Sequence, residues 1–137
     1  MNWKLELIVV PVADVDRAKA FYIEQTGFDL LVDHSAGEDF RVVQLTPPGS
    51  ACSIAVMKNT ERAGSLQGLQ VVVSDIEAAR AELLGRGVEV SDYFHFDDTG
   101  QHDGLDPERR DYATFFQFSD PDGNVWLIQE VASRASA

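Results

Sequence analysis

The chain of 137 residues carries a formal net charge of −12, with 45% hydrophobic and 25% charged residues. A nucleic-acid-binding surface is not expected, because no run of Lys or Arg exists to displace counterions from a phosphate backbone. An anionic membrane surface would repel so acidic a chain, so the composition predicts one domain, residues 1–137, with an ordinary hydrophobic core.

The first half of the chain predicts a strand, a helix and three further strands. The apolar, β-branched run 5–12 is typical of a strand. Asp14 is placed to cap a helix whose apolar residues follow at helical spacing. Three more strand-like runs follow, and a turn rich in Pro and Gly joins the last two: 28–33, 40–46 and 51–57.

The second half repeats that order. VADVDRAKAFY, residues 12–22, returns as VSDIEAARAEL, residues 73–83, at a constant offset of 61 residues (Asp14 to Asp75). Strands are predicted on both sides of the second helix, at 68–74, 88–96, 112–119 and 125–131. The far ends of the halves also match, since VVQLTPPGS resembles FFQFSDPDGN. The sequence therefore predicts two tandem β-α-β-β-β units, about 3–58 and about 66–131.

Redox and targeting features favour a cytoplasmic protein. The single Cys52 cannot form an internal disulfide. The start, MNWKLELIVV, lacks the long apolar stretch and small-residue cleavage site of a signal peptide, and no run approaches the length of a membrane span.

The doubled unit, the V-x-D-x-x-x-A pattern at each helix start and the DPDGN sequence near the C-terminus resemble the vicinal oxygen chelate superfamily. That family includes glyoxalases, extradiol dioxygenases, fosfomycin-resistance enzymes and bleomycin-resistance proteins. The resemblance implies an α+β fold in which both units form a cupped eight-stranded mixed sheet, with helices on the convex face and the site on the concave face. It also implies a homodimer, to which exposed hydrophobic residues such as Trp3 and Ile8 add weak support.

The resemblance further implies where a divalent metal ion would be held. The corresponding positions are Leu7, Gly68 and Leu127, with Ser53 or Ala55 as the fourth. Leucine, glycine and alanine have no side-chain donor atom, and a serine hydroxyl alone is a poor ligand. No metal and no other cofactor is therefore expected at the usual positions. Glu6 and Glu130, which neighbour two of them, are expected to be rim or surface carboxylates.

Strand alternation predicts the lining of the cup, since successive side chains point to opposite faces. Three apolar sets should face the helices: Leu69, Val71 and Val73; Phe116 and Phe118; and Trp126 and Ile128. The candidate ligand-binding residues on the other face are Gln44, Gln70, Gln117, Gln129, Phe115, Leu7 and Leu127. Two interpretations of the four glutamines stay open: they bind a polar group of a ligand, or they satisfy each other and water.

Histidines and one polar segment are the remaining candidates for functional residues. His95, expected near the mouth of the cup, is the candidate catalytic acid–base group, and an incidental histidine is the alternative. The segment 96–111 is a lid or a solvated loop, and its Arg109, Arg110 and His102 would be the nearest movable cations.

Two functions are compatible with these features. The first is a glyoxalase-like protein that binds a small organic ligand in the cup without the usual divalent metal, as bleomycin-resistance relatives sequester a toxic compound. The alternative is an enzyme of lyase, isomerase or dioxygenase type, with a relocated metal or acid–base chemistry at His95. The sequence leaves the identity of the ligand and the presence of catalysis open.

Overall fold

The computed structural model describes residues 1–134, in which nine strands form two mixed sheets. By their contacts the residues divide into two units. Unit 1 consists of Met1–Leu66 together with Asp120–Asn124, and unit 2 of Gln67–Ser119 together with residues 125–134. The α+β class is confirmed, whereas the expected single sheet of eight strands is corrected to sheets of four and five strands.

Unit 1 contains four strands and one helix. The helix α1, Val15–Ala20, continues as a π-helical turn, Phe21–Gln25, and packs against β4. The sheet order is β1-β4-β3-β2, with β1 parallel to β4 and the other pairs antiparallel. The strands are β1 Leu7–Val12, β2 Asp29–Ala36, β3 Phe40–Thr46 and β4 Ser53–Lys58.

Unit 2 repeats this connectivity and adds a strand. Its helix α2, Ile76–Gly85, packs against β8 and β9, and its chain ends in a short 3-10 turn, Ala132–Arg134. The sheet order is β5-β9-β8-β6-β7, and again the first strand of the unit pairs parallel with the last. The strands are β5 Leu69–Val73, β6 Phe94–Asp97, β7 Gly100–Asp103, β8 Thr114–Ser119 and β9 Val125–Glu130.

The sequence repeat is visible in the two helix caps. The Asp14 carboxylate accepts from the Arg17 backbone N–H at 3.1 Å, and the Asp75 carboxylate accepts from the Ala78 N–H at 3.1 Å. Both aspartates have extended backbone angles, as a residue just before a helix requires. The matched positions therefore perform the same local task in each unit.

The additional strand β7 arises from the segment 96–111. His95 pairs with His102 and Phe96 with Gln101, so β6 and β7 form a hairpin at the edge of the sheet. In the turn, hydrogen bonds from Thr99 lower the pKa of Asp97 to about 2. A polar strand without apolar alternation gives no strand signal in the sequence, and this is why the segment resembles a loop there.

Strand alternation places the core. Across unit 2, Phe116 pairs with Ile128 and Phe118 with Trp126, and all four are at most 5% exposed. This is the set expected to face the helices. None of the helices within residues 1–134 is long and apolar enough to cross a membrane.

The DPDGN sequence, Asp120–Asn124, groups with unit 1 although it connects two strands of unit 2. The buried Tyr22 hydroxyl donates to Asp120 at 2.8 Å, and Asn124 donates to the Pro11 carbonyl at 2.9 Å while accepting from the Leu66 N–H. Its polar side chains thus satisfy main-chain groups of unit 1, which explains the residue types of this turn.

Candidate functional site

Unit 2 contains a cavity of about 540 Å³ on the face of its sheet opposite the Phe116–Trp126 core. Among the described residues that line it, none is charged, in a chain where 25% of residues are. Such a lining favours a neutral organic molecule over an ion. The lining consists of Gln67, Gln70, Ser91, Phe94, Phe96, Gln101, Phe115, Gln117 and Leu127.

Three phenylalanines form the aromatic wall of this unit 2 pocket. Phe94 and Phe115 are directly opposite on paired strands, and their rings stack at 5.6 Å with an angle of 9°. Phe96, two residues further along the same strand, meets Phe115 edge to face at 5.5 Å. Since residues i and i+2 share a face of a strand, the F-H-F sequence of β6 puts two rings beside the third.

Two predicted glutamines form a hydrogen-bonded pair. Gln70 donates from Nε2 to Gln129 Oε1 at 2.6 Å, and Gln129 donates from its own Nε2 to the Tyr112 carbonyl at 2.9 Å. Gln129 is 8% exposed and does not line the pocket. The Gln129 amide is therefore used by the protein, which agrees with the mutual-bonding interpretation, and a role for Gln129 in ligand binding stays a prediction.

Gln117 is fixed in place by hydrogen bonds of its main chain, in which its side chain takes no part. Its N–H donates to the Ser91 hydroxyl, and its carbonyl accepts from the Ser91 N–H, both at 2.9 Å. The Gln117 side-chain amide makes no hydrogen bond with any residue in the described range 1–134, so it can rotate to suit a ligand.

The pocket gathers four of the predicted ligand-binding residues, Gln70, Phe115, Gln117 and Leu127. Of the other three, Gln129 is bonded to Gln70, whereas Leu7 and Gln44 lie in the sheet of unit 1, where Leu7 pairs with Ser53 and Gln44 donates to Glu6 at 3.2 Å. Their role in binding stays a prediction.

His95 lies on the other face of β6 from the aromatic wall. It pairs with Thr114, whereas its neighbours Phe94 and Phe96 line the pocket. The imidazole is 7% exposed, and its Nδ1 is 2.8 Å from the Gly104 carbonyl oxygen. The expectation that His95 stands at the mouth of a ligand cavity is corrected for this pocket, because strand alternation turns the ring away from it.

Sequence reasoning missed five lining residues: Phe94, Phe96, Ser91, Gln101 and Gln67. The alternation in F-H-F could have indicated the two aromatic residues once Phe115 was assigned to the same face. Gln101 could not have been found, because it enters the pocket through β7, a strand without a sequence signal.

The three basic side chains of the segment 96–111 lie against acidic partners. Arg109 donates to Glu130 at 2.6 and 2.9 Å, and this contact lowers the pKa of that buried carboxyl. Arg110 binds the buried Asp106 at 2.9 Å and holds the pKa of its carboxyl well below the usual range. The third, His102, is 3.0 Å from Asp97. Glu130 is thus 2% exposed and not the rim or surface carboxylate that was expected.

The residues at the positions that the resemblance assigns to metal ligands offer few donor atoms. Leu127 presents a hydrocarbon side chain to the pocket, and Gly68, just before β5, has no side chain. Ser53 is 4% exposed, and its hydroxyl is bonded to Thr46 at 2.7 Å. Within the described part of the chain, no group of three or more His, Cys, Asp or Glu could hold a metal ion.

A second cavity, of about 470 Å³, lies in unit 1 and is lined largely by charged residues. Several of these already have partners: Asp14 caps α1, and Asp16 accepts from Arg41 at 2.6 Å. The cavity therefore resembles a solvated ion-pair surface, and the uncharged pocket of unit 2 is the better candidate for ligand binding.

Known proteins resemble this chain over nearly its whole length. It is 33% identical to TnmS3, an antibiotic binding protein from Streptomyces sp. CB03234, with 95% of this chain and 97% of that chain covered and a TM-score of 0.73. It is 34% identical to a glyoxalase/bleomycin resistance protein from the same organism, covering 93% and 100% with a TM-score of 0.66. It is 29% identical to the uncharacterized protein YetH of Bacillus subtilis (strain 168), covering 90% and 94%.

The family model of the Glyoxalase/Bleomycin resistance protein/Dioxygenase superfamily matches residues 4–128. The match includes both helix caps, the DPDGN turn and every strand of the two sheets except the last residues of β9. The resemblance inferred from the repeated unit is confirmed, and the chain belongs to this superfamily.

Proposed function

We propose that this protein binds a small, uncharged organic molecule carrying an aromatic ring in the unit 2 pocket. The observation that carries the proposal is the lining itself, in which three phenylalanines and Leu127 supply apolar surface and amides supply the polar groups. The 33% identity to an antibiotic binding protein supports the same class of ligand, a natural product of antibiotic type.

Stacking would supply much of the binding energy. An aromatic pair in offset-stacked or edge-to-face geometry contributes about 0.5–1.5 kcal/mol beyond the area it buries. Phe94 and Phe115 already stack on each other, so a ligand ring can meet their edges or the face of the more exposed Phe96. An ion would lose its hydration without meeting an opposite charge among the described lining residues.

The proposal includes binding without the usual divalent metal. Leu7, Gly68 and Leu127 stand at the positions where metal-dependent relatives place ligands, and they offer no donor side chain. Elemental analysis of protein purified without chelator should find less than one divalent ion per chain. A stoichiometric ion would contradict this part of the proposal and favour a metalloenzyme.

An enzymatic function would require a reacting group at the ligand. His95, the candidate acid–base group, lies on the opposite face of β6, and Arg109 and Arg110 are engaged in ion pairs with Glu130 and Asp106. Among residues 1–134 no specific observation favours the enzymatic alternative, and sequestration is the function we propose.

The direct test compares two phenylalanine variants. Phe96 is 44% exposed and lines the pocket, whereas Phe40 is 47% exposed and lies in unit 1. Their similar exposure makes Phe40→Ala a matched control for Phe96→Ala. Ligand can be identified by native mass spectrometry after mild purification, and its affinity measured by calorimetry. We expect Phe96→Ala to weaken binding about fivefold to thirtyfold and Phe40→Ala to leave it unchanged. Equal affinities would contradict the assignment of the pocket.

A homodimer and a cytoplasmic location remain part of the proposal. Trp3 is 84% and Ile8 41% exposed, and β2 adds exposed Leu30, Leu31 and Val32, so unit 1 carries apolar surface that a second copy could cover. Light scattering at micromolar concentration should give about twice the chain mass of 15.1 kDa, and a monomer mass would count against it. Cell fractionation tests the location.

A further inference from the structure

One amide in the unit 2 pocket has its orientation fixed from outside the pocket. The Tyr112 carbonyl, being a main-chain oxygen, can only accept a hydrogen bond. Gln129 must therefore direct its nitrogen to Tyr112 and its oxygen to Gln70. Gln70 must in turn direct its nitrogen to Gln129, so donor and acceptor logic alone assigns both amides.

The hydrogen-bonded series from Gln70 through Gln129 to Tyr112, called the relay below, is anchored at Tyr112. Tyr112 has a positive φ of 70°, and its N–H donates to the Glu130 carbonyl at 2.9 Å, which fixes the position of its own carbonyl. The Glu130 side chain is held in turn by Arg109 and accepts from the Ile76 N–H at 3.1 Å. Reversing the amides would set the Gln129 oxygen against the Tyr112 oxygen and leave a buried group unsatisfied, which is costly.

The relay leaves Gln70 Oε1 open to a ligand. This oxygen makes no hydrogen bond within residues 1–134, and Gln70 lines the pocket. Because the oxygen and nitrogen are separate substituents of the trigonal amide carbon, Oε1 is not the atom that meets Gln129 when Nε2 donates to it. Gln117, in contrast, has a side-chain amide without a described partner and can present either atom. Gln70 alone of these two amides has a fixed hydrogen-bonding character.

We infer that Gln70 is a specificity-determining hydrogen-bond acceptor and that Gln129 is the positioning residue that holds it in this role. The pocket would then select molecules that place an O–H or N–H donor next to an aromatic ring, and would reject analogues in which that donor is methylated. This inference rests on the proposed function of the same pocket.

The test uses a matched pair of probes, β-naphthol and its methyl ether, which share the ring system and differ in the O–H donor. Titration followed by probe fluorescence gives the two dissociation constants, and their ratio is the readout. We expect the wild-type protein to bind β-naphthol about fivefold more tightly, the effect of one net hydrogen bond. Gln70→Met should bring the ratio close to one.

Gln129→Met tests the positioning role, because methionine fills a similar volume without fixing the Gln70 amide. The ratio should again approach one while the affinity for the methyl ether stays unchanged, whereas general damage to the pocket would weaken both probes together. Gln117→Met removes the other amide of the pocket lining and should keep the fivefold ratio, whatever its effect on the affinities for the two probes together. Circular dichroism verifies that each variant folds.

The outcomes separate this inference from the proposed function. If neither probe binds at millimolar concentration, both are contradicted. If both bind equally to the wild-type protein, aromatic binding stands and the acceptor role of Gln70 is wrong. If the ratio persists in Gln129→Met, Gln129 does not position Gln70. If the ratio is lost in Gln117→Met, the amide of Gln117 selects the O–H donor.

Discussion

The close approach of Gly64 to the DPDGN turn leads to a sharp stability prediction. Gly64 has a φ of +79°, and an added Cβ would overlap the Asp122 carbonyl oxygen and lie 3.0 Å from its carbonyl carbon. The turn cannot withdraw freely, because Asp122 accepts from the Ala13 N–H at 3.0 Å and from Arg17 at 3.1 Å. Gly64→Ala should therefore destabilise unit 1.

The magnitude has two parts. A non-glycine residue at positive φ costs about 1–2 kcal/mol. Moving Asp122 by enough to relieve the overlap would break its two hydrogen bonds, each worth about 1 kcal/mol. The free energy of unfolding should fall by about 3–4 kcal/mol, which is a large effect for one methyl group.

Gly49→Ala is the matched control. Gly49 has a φ of +85°, but nothing lies within 4 Å of an added Cβ, so only the backbone strain remains. Urea denaturation followed by circular dichroism should give a loss of about 1–2 kcal/mol for this variant. If the two variants lose the same stability, the docking of the turn against Gly64 is not as the structure has it.

Three further predictions concern buried polar groups and His95. Tyr22→Phe should cost about 1–3 kcal/mol in urea denaturation, because it removes the hydroxyl that donates to buried Asp120; no change would contradict the bond. Arg109 lowers the pKa of Glu130 in the folded protein. As the pH falls, the Glu130 carboxylate is therefore protonated in the unfolded chain before it is protonated in the folded one. The free energy of unfolding should fall as the pH drops below about 4.5, and Arg109→Gln should flatten that slope. His95→Gln should leave the affinity for the ligand, measured by calorimetry, unchanged. A tenfold loss of affinity would show that His95 belongs to the binding site.

Structural features that depend only on residues close together in the sequence can be predicted from it. Strand alternation places Phe115, Gln117 and Leu127 on one face and Phe116 and Trp126 on the other, because side-chain direction follows from position along the strand. The repeat likewise predicts both helix caps. These features need no knowledge of a distant partner.

The sequence cannot predict what depends on such a partner. The pairing of His95 with Thr114 decides to which face of the sheet the His95 side chain points. The hydrogen bonds of Gln129 depend on the backbone of Tyr112. The burial of Glu130 depends on Arg109, whose backbone has an uncommon positive φ of 50°. An edge strand such as β7 is polar on both faces, so its existence follows only from pairing with β6.

The position of the DPDGN turn has a consequence for synthesis of the protein. The main part of unit 1 ends at Leu66, but its last segment ends at Asn124, 124 − 66 = 58 residues later. At about 5–20 residues per second, a ribosome needs roughly 3–12 s to supply that segment. During this interval the Pro11 carbonyl and the Leu66 N–H lack their Asn124 partner. A nascent chain stalled before Asp120 should therefore remain sensitive to protease in its first unit, and the sensitivity should disappear once Asn124 has left the ribosome.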